Sequence, residues 1–125
     1  MRLLLDTHAL IWALGEPSKL SPGSRRLIED PSNEIFVSAA SLWEIAIKAD
    51  SGKLQVPDDL ERAIFAVGFQ PLEIRFPHVR RLRGLPTHHR DPFDRILVAQ
   101  AMHENLSIAT RDGRISSYDV RVVEA

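Results

Sequence analysis

The sequence predicts an α/β fold with a mostly parallel central sheet and helices on both of its faces. Two observations carry that expectation. Short apolar runs of strand length alternate with helical segments along the whole chain, and the runs are continuous rather than alternating, as strands buried on both faces require. Helix-starting signals, a capping residue followed by proline, recur between them.

The opening Arg2-Leu3-Leu4-Leu5 reads as a buried strand ending at Asp6, with residues 7–14 turning into a helix that Glu16-Pro17 breaks. Ser21-Pro22 caps a second helix reaching residue 30, and Pro31-Ser32-Asn33 makes a turn. Ile35-Phe36-Val37 is a second strand. A third helix over residues 41–50 keeps Leu42, Ile45, Ala46 and Ala49 on one face before Gly52 stops it. Pro57-Asp58 is read as the cap of a fourth helix reaching residue 67, residues 69–74 as a strand, and residues 77–85 as a short basic helix. Asp91-Pro92 starts an apolar helix reaching residue 105, Ser107-Ile108-Ala109-Thr110 is a strand, and Arg121-Val122-Val123 is the last strand.

The 125 residues, 44% hydrophobic and 26% charged, suit one ordinary core, so a single domain over residues 1–125 is expected. No apolar run approaches the roughly 20 residues of a membrane span, and residues 3–14 carry Asp6 and His8, unlike a signal peptide. A cytoplasmic protein is the expectation. The absence of cysteine excludes disulfides, thiolate metal sites and cysteine nucleophiles, and leaves carboxylates and histidines as candidate ligands. A net charge of -1 gives no global field for nucleic acid, so binding of that kind needs a local patch.

Four acids fall in informative places. Ligands of open α/β sheets bind beyond the carboxyl ends of the strands, where Asp6 closes the first strand and Asp112 follows Thr110. Glu44 and Asp94 lie early in helices, and each also has a structural explanation: Ser41 with Glu44 fits a capping box, and Asp94 suits the positive end of its helix. The phase of Asp94 argues for more, because Leu97, Val98 and Ala101 follow on the same face and turn the carboxylate inward. Burying an ionised acid is costly unless a cation or hydrogen bonds compensate it. If the four meet, each ionised pair at about 5 Å repels by roughly 3 kcal/mol at an effective dielectric of about 20. An all-oxygen cluster of this kind suits Mg²⁺ or Mn²⁺, and phosphodiester hydrolysis is the natural chemistry. Thr7 and Thr110, beside the acids, are placed to hydrogen-bond a carboxylate, a water or a phosphate; capping or turn formation explains them equally.

Leu4-Leu5-Asp6-Thr7-His8, Ser41-Leu42-Trp43-Glu44-Ile45, His89-Arg90-Asp91-Pro92-Phe93-Asp94-Arg95 and Thr110-Arg111-Asp112 together resemble PIN-domain proteins, specifically VapC-type toxins, nearly end to end. The resemblance implies an α/β/α sandwich around a parallel sheet, Mg²⁺- or Mn²⁺-dependent endoribonuclease activity, a symmetric homodimer, and neutralisation by a cognate antitoxin that inserts a segment near the active site. Carried onto this chain, it implies Asp6 and Asp94 as main metal ligands, Glu44 as a third acid that binds metal or orients water, and Asp112 as the fourth, reaching metal through water. Asp91 precedes Pro92 and reads instead as an N-cap.

Residues 75–95 hold six arginines against two acids, a local net charge of +4, which suits an RNA backbone or simply a solvated face; Arg90 and Arg95 are the expected phosphate contacts. The His88-His89 pair reads as a loop that positions Asp91 and touches substrate rather than as a metal site. His8, His78 and His103 receive no functional assignment, and Trp12, Trp43 and Phe93 read as core. Two rival readings stand beside the nuclease. One is a non-catalytic RNA- or partner-binding module on the same fold. The other is an aspartate-based phosphatase, which wants a second aspartate two residues after the first, where this chain has His8.

Overall fold

A computed structural model describes residues 1–52, 54, 56 and 58–125. Five parallel strands form one sheet in the order β3-β2-β1-β4-β5, with β1 Arg2–Leu5, β2 Glu34–Ser38, β3 Gln70–Leu72, β4 Ser107–Thr110 and β5 Val122–Glu124. The expected parallel sheet is therefore parallel throughout. Six α-helices connect and cover it among the described residues: α1 Thr7–Gly15, α2 Pro22–Glu29, α3 Ala39–Asp50, α4 Leu60–Ala66, α5 Phe76–Arg81 and α6 Pro92–Glu104. None is long and apolar enough to cross a membrane.

The three leucines of β1 show why a continuous apolar run belongs at the centre of such a sheet. Each is fully buried, but alternate side chains leave by opposite faces. Leu3 and Leu5 join Ala9 and Leu10 of α1, Ile45 of α3 and Ile64 of α4 on one side. Leu4 joins Phe36, Ile108 and the apolar side of α6 on the other. Chain direction decides where the site lies: from β1 the connections run through β2 to β3 on one side, and β4 and β5 lie on the other. The order reverses beside β1, and the crevice between the carboxyl ends of β1 and β4 is the topological switch point at which open α/β sheets bind ligands.

Several boundaries differ from the sequence expectation for identifiable reasons. β3 is three residues long because it is an edge strand carrying Pro71, which has no N–H to give to a ladder. α5 ends at Arg81, and Gly84 turns the chain at φ +81°. Pro57 lies outside the described residues; α4 is capped by Asp59, whose carboxylate accepts the backbone N–H of Arg62 at 3.1 Å. α3 begins two residues early. Its cap is Ser38, whose Oγ accepts from Ala40 N at 3.0 Å and donates to the buried Gln100 Oε1 at 2.6 Å. The Ser41–Glu44 capping box expected from sequence is thus overturned, because Ser41 already lies inside the helix.

Leu4→Ala, at a fully buried position, is expected to cost about 2–5 kcal/mol in urea unfolding with an unchanged m-value. Phe76→Ala, at a side chain 87% exposed, should stay within about 0.5 kcal/mol of the parent.

Candidate active site

Asp6, Glu44, Asp94 and Asp112 all line one cleft of about 210 Å³ at the carboxyl ends of the strands. They come from four separate segments: the end of β1, the second turn of α3, the first turn of α6 and the loop after β4. A larger hollow, about 740 Å³ and lined by Arg2, Ser107 and Arg121 among others, lies at the opposite end of the sheet. It holds Asp119 but none of the four acids.

Asp6 is only 6% exposed. It caps α1, its Oδ1 accepting from Ala9 N at 2.8 Å. Burial pushes its carboxyl above the ordinary range and Glu44 adds to this, while hydrogen bonds from Thr110 and Ala9 pull the other way. Glu44, equally buried, is held at both oxygens: Thr7 Oγ1 donates to Oε1 at 2.6 Å and Lys48 Nζ to Oε2 at 2.6 Å. Thr7 thus binds the Glu44 carboxylate, whereas Thr110 turns the chain locally, its Oγ1 accepting from Asp112 N at 3.0 Å.

Asp94 carries the largest perturbation. Burial is the first cause, repulsion from Asp91, Asp6 and Glu44 adds to it, and His89 opposes it, leaving the carboxyl raised to about 7. Asp112 behaves oppositely. Its burial is outweighed by hydrogen bonds from the Arg114 side chain and backbone and from His89, which hold it at about 2. Asp91 is the N-cap of α6, its Oδ1 accepting from Phe93 N at 2.8 Å and Asp94 N at 3.3 Å. The cleft is therefore faced by the N-terminal ends of α1 and α6, whose partial positive charge favours carboxylates and phosphates alike.

The structure adds a residue to this set. His89 is 3% exposed, and its Nε2 lies 2.7 Å from Asp112 Oδ2 and 3.0 Å from Asp94 Oδ2. It does position Asp91, whose N–H donates to His89 Nδ1 at 3.1 Å, but its other nitrogen meets acids rather than facing substrate. His88 is exposed and packs edge-on against Tyr118 at 4.9 Å.

Other expectations need correction. Arg95 is not placed to meet a phosphate: its guanidinium donates to the carbonyls of Leu85, Pro86 and His89 and to Tyr118 Oη, stapling the loop before α6. Arg90 is exposed but does not line the cleft; among the described residues Lys48, Arg111 and Arg114 do. Trp43 is not core. It is 60% exposed and meets Phe93 edge-on at 4.9 Å. Trp12 is half-buried beneath the Arg111 guanidinium, 4.4 Å above its ring.

With this geometry in view, the PIN domain model matches residues 3–121. The chain belongs to the PIN domain family. It is 28% identical to Ribonuclease VapC22 of Mycobacterium tuberculosis over 123 residues, covering 93% of this chain and 91% of that protein. Among solved structures it resembles a chain of VapBC2 from Rickettsia felis bound to a DNA fragment from their promoter, with a TM-score of 0.73, 15% identity and 98% of both chains covered. A chain of DNA-bound VapBC from Salmonella typhimurium aligns with a TM-score of 0.64 and 18% identity over 98% of this chain and 97% of that one. These likenesses show the fold of this PIN domain to be the one those chains share.

The raised carboxyl of Asp94 has a consequence for stability. Between its ordinary value of 3.8 and about 7 the folded protein holds a proton that the unfolded chain has released, so stability without metal falls as pH rises through that window. Asp6, also raised, acts in the same direction. In chelator, the thermal midpoint of this PIN domain should decline from pH 4.5 to 7.5. Asp94→Asn should flatten the decline and be more stable than the parent at pH 8 by about 1–3 kcal/mol.

Proposed function

We propose that this PIN domain is a Mg²⁺- or Mn²⁺-dependent endoribonuclease, the toxin of a VapC-type toxin-antitoxin pair, hydrolysing RNA phosphodiester bonds. The observation that carries the reading is the convergence of Asp6, Glu44, Asp94 and Asp112 on one cleft at the switch point of the sheet. The donor set fits a hard divalent cation. Its donors are carboxylate oxygens, two of the four acids are raised by burial and mutual repulsion, and the other two already hold a lysine and an arginine.

Asp6 and Asp94 would hold the cation, with Glu44 as a third acid that binds it or orients water and Asp112 as the fourth. A bound divalent cation supplies the acidity that makes water a nucleophile at neutral pH and the charge that polarises a phosphodiester. The residues of the chain supply the rest. Thr7 and Lys48 fix both oxygens of Glu44, so that its orientation does not depend on solvent. Ala9 N aims Asp6, and the Asp91 cap fixes the first turn of α6 that presents Asp94. The exposed Arg90 and the cleft cations Lys48, Arg111 and Arg114 offer the local positive charge for an RNA backbone that the net charge of -1 does not.

Residues 1–125 act as one domain in this reading, in the cytoplasm, as a homodimer. The likeness to ribonuclease VapC22 supports RNA as substrate, and the likeness to chains of VapBC assemblies supports a cognate antitoxin as partner.

Purified protein should cleave structured RNA with Mg²⁺ or Mn²⁺ and lose cleavage in chelator, and Asp6→Asn should slow it by at least about 100-fold with the fold intact by circular dichroism. Cleavage that survives chelation, or an Asp6→Asn variant as fast as the parent, overturns the proposal.

A further inference from the structure

His89, Asp94 and Asp112 each offer one ligand-type atom, and the three atoms lie within 4.8 Å of one another. By spacing alone this is a mixed nitrogen and oxygen site, the kind that suits zinc and other borderline metals. The hydrogen bonds of the imidazole decide otherwise. Nδ1 accepts the backbone N–H of Asp91 at 3.1 Å and therefore keeps its lone pair, so the ring proton sits on Nε2. That proton is donated to Asp112 Oδ2 at 2.7 Å, while Asp94 Oδ2 lies 3.0 Å from Nε2 as a close charge contact without hydrogen-bond alignment.

The ring cannot readily turn to offer a lone pair instead. The residue is 3% exposed, and its backbone is held on both sides, the backbone N–H donating to Tyr118 Oη at 3.0 Å and the backbone carbonyl accepting from Arg95 Nη1 at 3.3 Å. A turned ring would set carbon in place of both nitrogens, and the other tautomer would set N–H against the Asp91 N–H and a lone pair against the Asp112 carboxylate. Arg95 and Tyr118 thus acquire a purpose: they hold the residue that holds the acids.

We infer that His89 is a positioning residue, whose single Nε2–H holds Asp112 beside Asp94 and keeps imidazole out of the metal's coordination sphere, leaving an all-oxygen site selective for hard divalent cations. The inference rests on the proposal that the acids bind metal. It goes further in assigning a histidine from the loop before α6 to the choice of metal. The ring N–H bonded to Asp112 also lies 3.0 Å from Asp94 Oδ2 and so offsets part of the repulsion between the two carboxylates.

The test uses Mn²⁺ and the full chain. In wild type, electron spin-echo spectra of bound Mn²⁺ should lack the coupling of a directly bound ¹⁴N, and proton–nitrogen correlation spectra should place the His89 ring proton on Nε2. His89→Gln places an amide N–H near the position of Nε2 and should hold Mn²⁺ affinity by calorimetry within about threefold, whereas His89→Asn keeps an acceptor for Asp91 N but cannot reach the acids and should lose about 10–100-fold. A ¹⁴N coupling in wild type that vanishes in His89→Gln makes His89 a ligand and overturns the inference. So does a ring proton on Nδ1, or a folded His89→Asn that binds as tightly as wild type. The two wild-type spectra decide the matter even if the variants fail to fold. Wild type that binds no Mn²⁺ overturns the metal reading itself, and this inference with it, whereas binding with the wrong variant pattern overturns only the role of His89.

Discussion

Repulsion among buried carboxylates is the constraint around which the functional end of this PIN domain is arranged. Asp6, Glu44, Asp94 and Asp112 are drawn into one cleft by strands and helices whose positions are set by apolar packing elsewhere. Burial and proximity raise the cost of ionising Asp94 and Asp6 together. Donors are accordingly placed against the acids: Thr7 and Lys48 on Glu44, Ala9 N on Asp6, and Arg114 and His89 on Asp112, with the His89 ring also 3.0 Å from Asp94. The helix N-termini of α1 and α6 point the same way. Without a cation such a site is strained, and the cation proposed for it would relieve the repulsion, so stability and the proposed function pull against each other at Asp94.

What keeps the acids from moving apart is the rigidity of the segments that carry them. Asp6 follows a strand whose three leucines are fully buried, and Asp94 stands on a helix whose inner face, from Ile96 to Ala101, is buried. The loops are tied as firmly. Tyr118, from the segment after β4, accepts from His89 N and Arg95 Nη1, joining the loop that carries Asp112 to the loop that precedes α6. A buried chain of polar contacts, Ser38 to Gln100 and Gln100 to the Glu73 carbonyl, locks α3 and α6 together beneath the cleft.

Much of this was legible in the residue order. The parallel sheet followed from alternating elements and continuous apolar runs, and the inward aim of Asp94 followed from its phase with Leu97, Val98 and Ala101. Misreadings cluster where a residue's partner is distant in sequence. Ser41 looked like a cap because Glu44 follows at capping-box spacing, but the helix starts at Ser38, whose hydroxyl answers to Gln100, 62 residues away. Arg95 looked like a phosphate contact because it sits beside Asp94, yet its donors go to loop carbonyls. Trp43 looked like core because it is aromatic on an apolar helix, and it lies on the outer side. His89 carried one weak local signal, its place two residues before the Asp91 cap, which gives the contact to Asp91 but not the two acids.

The sequence by itself determined the elements, the layer architecture and the positions of the acids within their elements, because helix phase, strand burial and capping are short-range properties encoded within a few residues of one another. Only the tertiary structure decided which polar groups meet. His89 reaches Asp112 across 23 residues, Thr7 reaches Glu44 across 37, and Arg95 reaches Tyr118 across 23. Hydrogen bonds of that kind depend on where packed helices and strands bring their ends, and no local pattern specifies a partner so far along the chain.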